Sequence, residues 1–482
     1  MARRILLAVL FVTTLLTPWR RELLVGDETK YGQVIREMRT TGAFFLPTLN
    51  GTPFTHKPPL HFWAIDLLTF PLGRYSMWPY VIPSLLSFAF LLWLLHRNFG
   101  WMSAFVCGTS LMVWGSAQTA RMDVGFTAFL TLGAWLLFRF FRDGDARLLV
   151  RAGIAIAIAT LIKGPMAPVI ILVLFALECW RRRGVPRANY LPALAAMIVI
   201  PLLWVVPAFV IGGSAYAHDV IVKQTVGRAF STWVHKAPPW YYLLHAPADL
   251  FPWFFLAAAG IWQAWKRGGE LDGYCINWIL AVLLPYSLMS SKLDVYMMAM
   301  IPPAAILIAL ADGRAVSVAS RVTLAILLCA ALAAPLIPAP YRSPGVYVVV
   351  AVIAAAAIAG LYFGTREAVG LAALAINVAA VAVLTPMAND LATTRPLIAS
   401  LTRQHVAASG IALYSCPQLW SRDMPRELEG VHYVAPGDLA QLQPVIIATA
   451  RKNAPEIASA LRGYHVVDTV QMIGKPFDVY RR

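Results

Sequence analysis

Apolar runs long enough to cross a bilayer recur along this chain from Ile5 to Pro386. A helix needs about 20 mainly apolar residues to do so, within a range of roughly 17–25. At 59% hydrophobic and 13% charged residues, a chain of 482 residues carries too much apolar surface for a water-soluble core. The expected class is a polytopic α-helical membrane protein. Thirteen spans are predicted, at 5–18, 79–96, 101–118, 124–141, 148–162, 164–180, 190–212, 248–266, 273–291, 294–312, 319–338, 345–363 and 367–388. Leu60 to Leu72 is apolar as well, but its 13 residues suit a helix lying in the interface. The first run follows Ala2-Arg3-Arg4 and has no small-residue cleavage site before Trp19-Arg20-Arg21, so it reads as a retained helix.

Arginine placement sets the expected orientation. Arg139, Arg142, Arg147 and Arg151 fall in one loop, Arg181, Arg182, Arg183 and Arg187 in a second, and Lys266 and Arg267 in a third. All three lie on the side of Arg3 and Arg4, which the positive-inside rule makes cytoplasmic. The net charge of +16 is spread over many short loops and reads as topology, not as a nucleic-acid surface. An odd number of spans then puts the C-terminal segment outside. None of the five cysteines makes a CxxC or Cys/His ligand pattern.

Residues 1–388 are expected to form the transmembrane domain, with outside loops at about 19–78 and 213–247. From residue 389 the composition turns polar, and β-type runs appear at 411–415, 431–434, 445–448, 465–470 and 477–480. Helical stretches at 396–407 and 454–461 lie between them, which predicts a small α/β domain over 389–482.

The outside loops hold the acid–base chemistry. The segment FFLPTLNGTPFTHKPPLHFW, Phe44 to Trp63, places Lys57 between His56 and two prolines, and Asp27, Glu28, Lys30 and Tyr31 precede it. Short turns add Arg121 and Asp123, Lys163, and Lys292, Asp294 and Tyr296. The second long loop adds His218, Lys223, Arg228 and His235. A charge at the membrane edge is costly, so such residues point to function. Carboxylates with lysines and tyrosines suit sugar transfer from a lipid phosphate: cations stabilise the departing phosphate, and a carboxylate takes an acceptor proton. The same residues have plainer readings. Asp27 and Glu28 could cap a helix over Thr29–Thr40, Lys57 and Lys163 could anchor at the interface, and Asp66 reads as solvated. His56 and His235 are candidates for a divalent metal ion, though no ligand spacing supports one.

The ordered motifs DExxY, LPxLNGxPxxxKPPLxxW, RMD, KGP and SKLxxY resemble the ArnT-like membrane glycosyltransferases, the C-type group that also holds the protein O-mannosyltransferases. The resemblance implies a polyprenyl-phosphate sugar donor, undecaprenyl phosphate in bacteria, and inversion at the anomeric carbon. It matches Asp27 and Asp123 to the essential outside acids. Lys57 and Lys163, with Lys30 and Tyr296, match positions near the carrier phosphate. Glu28, Tyr31, Arg121 and Lys292 are candidates for substrate contact. His56 stands where the family usually has Glu, and Lys30 where it more often has Arg. The implied partners are an undecaprenyl-phosphate-linked sugar, lipid A or another envelope acceptor, and membrane lipids. A monomer in the bacterial inner membrane with a periplasmic site is expected. The alternative is a transporter or flippase of lipid carriers, but the chain lacks the repeat symmetry usual there.

Overall fold

The computed structural model describes residues 2–227, 235–338 and 342–482; Arg228 lies outside them. Seven of the described helices are long and apolar enough to cross a membrane. They are α4 (Trp78–Phe99), α7 (Asp123–Asp143), α10 (Leu191–His218) with the turn after it, Glu270–Leu288, Gly313–Leu332, Pro344–Phe363 and the Arg366–Val383 part of the last long helix. Tyr241–Asp249 and Phe254–Arg267 meet at 113° and make an eighth if they are one broken span. The expected first span lies in α1 (Ala2–Arg20). Other expected spans are short, charged or interrupted. Arg147, Arg151 and Lys163 lie in α8 (Ala146–Lys163), α9 (Met166–Arg182) has 17 residues, and Asp294–Leu310 opens as a 3-10 turn. The 101–118 run is two helices, α5 (Trp101–Thr109) and α6 (Leu111–Ala117), with Ser110 extended between them. The break frees backbone groups that hydrocarbon cannot satisfy, and the Leu111 N–H donates instead to Phe251 O at 3.2 Å, at the other break.

Two further helices sit off the bundle. The expected helix after the first span is α2 (Asp27–Thr41), and the interfacial helix is α3 (Leu60–Leu72). Asp66 departs from its solvated reading: it is buried and pairs with Arg39 at 2.9 Å, because α3 lies against α2. Between them the LNG motif forms a hairpin of β1 (Thr48–Leu49) and β2 (Thr52–Pro53). Its turn uses Asn50 and Gly51, both at positive φ. The Glu37 carboxylate of α2 accepts from Asn50 N at 2.7 Å, Gly51 N at 3.1 Å and Thr48 Oγ1 at 2.6 Å, which fixes the hairpin to the helix.

The polar C-terminal segment folds as the expected α/β unit. Its five-stranded sheet runs β4-β3-β5-β7-β6. β3 (Ile411–Tyr414) is parallel to β4 (His432–Val434) and β5 (Ile446–Ala450), and β7 (Lys475–Arg481) is antiparallel to β5 and β6 (His465–Met472). Every residue of β3 and β5 is buried, as central strands covered on both faces require. Reporter fusions test the orientation. A fusion at Gly184 is expected to report the cytoplasm and one at Ala454 the outside, and the same side for both would refute it.

Candidate active site

The neighbours Asp27 and Glu28 open α2 but face different ways. Glu28 is buried and accepts four hydrogen bonds. Arg21 Nη1 and Nη2 donate at 2.7 and 2.6 Å, Leu24 N at 2.8 Å and Ala120 N at 2.5 Å. This carboxylate ties the end of α1 and the start of α2 to the turn before α7. Asp27 has a side chain 46% exposed, with Arg121 Nη2 3.7 Å away. It is the acid left open to a ligand.

Asp123, the first residue of α7, is buried between two cations. Lys163 Nζ, at the end of α8, lies 2.5 Å from it, and Arg121 Nε 3.0 Å. Lys57 is within electrostatic reach of the same carboxylate. Lys163 Nζ also stands 4.9 Å from the centre of the Tyr296 ring, which stacks on Tyr286 at 4.7 Å. Gly164, at φ 113°, ends α8 just behind Lys163. Tyr31 is buried on the inner face of α2. Burial, with the Asp27 and Asp123 carboxylates facing it, pushes its phenol well above the usual value, so it is a neutral donor. His61, on α3, has Nε2 3.2 Å from Ala120 O. A carbonyl only accepts, so Nε2 carries the hydrogen. Burial pushes His61 down to about 4 against the pull of Ala120 O and Asp123, and the ring is neutral.

The structure thus brings together Asp27, Tyr31, Lys57, Arg121, Asp123, Lys163 and Tyr296. Other expected residues stand apart. Glu28 faces inward, and Lys30 is half-buried on α2. Lys292 is buried; its Nζ donates to Ser287 O at 3.1 Å and to Met289 O at the end of the preceding helix. His56 packs beside Phe54 at 5.1 Å, and the carbonyl of exposed His235 accepts from Lys292 N at 2.9 Å. Among the described residues no three His, Cys, Asp or Glu side chains gather to hold a metal ion.

Sequence reasoning passed over Arg21 and Glu37, whose roles are set by residues distant in space. It also passed over a polar stripe on Tyr241–Asp249. Tyr241, His245 and Asp249, spaced four apart, share one helix face. His245 Nδ1 is 2.9 Å from Asp294 Oδ1 and its ring stacks on Tyr241 at 3.8 Å, while Asp249 is buried with Oδ2 unpartnered among the described residues.

Two measurements test these roles. Glu28→Gln breaks a buried ion pair and is expected to cost about 3 kcal/mol of stability, whereas Asp27→Asn costs under about 0.5 kcal/mol. Thermal unfolding in detergent checks both, and equal shifts would contradict the assignment. His61 binds no proton in the folded state until well below its unfolded value of about 6.5. Its contribution is therefore complete above pH 6.5 and is lost as the pH falls toward 4, by up to about 3 kcal/mol. The wild type is expected to lose more thermal stability than His61→Gln between pH 7 and 4.5, and parallel curves would refute it.

The family described as dolichyl-phosphate-mannose-protein mannosyltransferase matches residues 56–204. The undecaprenyl phosphate-alpha-4-amino-4-deoxy-L-arabinose arabinosyl transferase of Edwardsiella ictaluri is 28% identical over 323 residues, 63% of this chain and 58% of that protein. The protein of that name from Erwinia tasmaniensis is 27% identical over 348 residues, 67% and 62% of the two chains. The chain thus spans about three-fifths of the length of these curated relatives. The crystal structure of ArnT from Cupriavidus metallidurans bound to undecaprenyl phosphate shares the fold, with a TM-score of 0.74 at 18% identity, covering 99% of this chain and 96% of that one. Its apo state gives 0.75 at 17% identity, with the same coverage. The chain is thus similar in sequence, over about two thirds of its length, to these arabinosyl transferases, and in fold, over nearly all of it, to ArnT.

Proposed function

We propose that this protein is an integral-membrane glycosyltransferase of the bacterial inner membrane. It moves a sugar from an undecaprenyl-phosphate carrier to an envelope acceptor on the periplasmic side. The names of the relatives favour 4-amino-4-deoxy-L-arabinose as the sugar, and the proposed acceptor is lipid A. The working unit is a monomer, and residues 389–482 form its periplasmic domain.

One observation carries the reading: an open carboxylate, Asp27, sits beside a cationic group gathered around buried Asp123. In the transfer, the bond between the anomeric carbon and the carrier phosphate oxygen breaks as the acceptor oxygen bonds to that carbon. The departing phosphate keeps the electron pair and gains negative charge. Lys163 and Lys57 supply fixed positive charge there, and Asp123 holds Lys163 and Arg121 in place. Tyr296 packs on Lys163, and Tyr31 offers a hydrogen bond. Asp27 takes the proton of an acceptor hydroxyl; for an acceptor phosphate oxygen, already ionised, it positions the acceptor instead.

Transfer kinetics against varied undecaprenyl-phosphate sugar in nanodiscs test this. Asp27→Asn is expected to abolish turnover in a folded protein. Lys57→Ala and Lys163→Ala are each expected to lower donor kcat/KM by about 100-fold. Arg139→Ala, in the Asp143 ion pair at the far end of α7, is expected to leave it unchanged. Wild-type kcat/KM in both lysine variants would return those residues to interface anchoring.

A further inference from the structure

The segment Leu419–Asp423 of the sheet domain lies against the chain that delivers Asp27. Helix α1 ends at Arg20, so its last carbonyls lack partners within the helix. Arg422 supplies them. Its Nη1 donates to Trp19 O at 2.7 Å and its Nη2 to Pro18 O and, at 2.8 Å, to Arg21 O. A guanidinium at a helix C-terminus also complements the negative end of the helix dipole. Ser421 Oγ donates to Glu22 Oε1 at 3.1 Å. Trp420 is buried against α2 at Gly32, where an added Cβ would stand 3.0 Å from both its ring and Leu23. Thr394 Oγ1 fixes Trp420 in turn, bonding its carbonyl at 2.8 Å and its N–H at 3.1 Å.

From this clasp a continuous run of hydrogen bonds leads to the site. Arg422 holds the carbonyl of Arg21, the Arg21 guanidinium holds Glu28, and Glu28 holds the Ala120 N–H. The next residues are Arg121, which faces Asp27, and then Asp123 after Met122. We propose that Arg422 is a positioning residue for the transfer, by which the outside domain sets α2, and so Asp27, against the Arg121–Asp123–Lys163 group. Arg422 touches no reacting atom; it acts through Arg21 and Glu28. The inference rests on the proposed transferase activity for its kinetic consequence, but not for its structural one.

The test is hydrogen exchange by mass spectrometry on the full-length protein in nanodiscs, with kinetics alongside. In Arg422→Ala the amides of 27–31 and of Ala120 are expected to exchange about 10-fold faster, while those of β5 keep their wild-type rates. kcat is expected to fall about 10-fold with donor KM unchanged, and Arg422→Lys, which keeps a cation with three donors, to restore most of it. Wild-type protection of α2 in Arg422→Ala overturns the proposal. If β5 loses protection too, Gly32→Ala decides, since it disturbs only the seat of α2 on Leu23 and Trp420. Faster exchange confined to α2 then supports the proposal, and unchanged exchange refutes it. Exchange reads positioning even if no sugar is transferred by any form, which separates failure of this inference from failure of the proposed activity.

Discussion

The buried Arg21–Glu28 pair is the interaction on which the site's geometry depends. Removing two charges from water is expensive, and their mutual attraction offsets this only with good geometry and further hydrogen bonds. Both conditions are met. The contact is bidentate at 2.7 and 2.6 Å, and two backbone N–H groups satisfy the carboxylate further. Those amides belong to Leu24 and Ala120, nearly a hundred residues apart. One carboxylate thereby fixes the distance between the helix that presents Asp27 and the turn that presents Arg121 and Asp123. A pair of this kind contributes specificity of arrangement more than net stability.

A second division of labour separates the acids. Asp123 is buried and occupied by Lys163 and Arg121, so its charge organises cations that would otherwise repel each other. Among the described residues Asp27 has a long contact with Arg121 and stays open to solvent. Two aspartates thus come to differ in burial and in the cations that hold them. The hairpin before Lys57 serves the same end, because Glu37 holds both turn amides to α2.

Much of this was legible in the sequence. The interfacial helix was read at Leu60–Leu72 because its apolar run is too short to cross, and the structure ends it at the same residues. The strands of the C-terminal domain are legible as short β-type runs with helical stretches between them, within a few residues of their observed bounds. The motif residues Asp27, Lys57, Arg121, Asp123, Lys163 and Tyr296 stand out in the sequence itself. What escaped depends on contacts between distant residues. Glu28 and Asp27 are alike as neighbours in sequence, and only the positions of Arg21 and Ala120 tell them apart. Asp66 looked solvated because Arg39 lies on another helix. The break at Ser110 carries no proline, and its freed amide is answered by Phe251, far along the chain. The Asn50-Gly51 turn is a local signal for the hairpin that forms there.

The clasp between Leu419–Asp423 and the α1–α2 connection also has a consequence in time. A chain is synthesised from its N-terminus, and early segments settle before late ones exist. Asp27 and the cations it faces leave the ribosome well before Trp420 and Arg422, which seat α2. Every helix of the bundle can be inserted while α2 still lacks its outer support. The first loop therefore reaches its final geometry only after the sheet domain has folded against it.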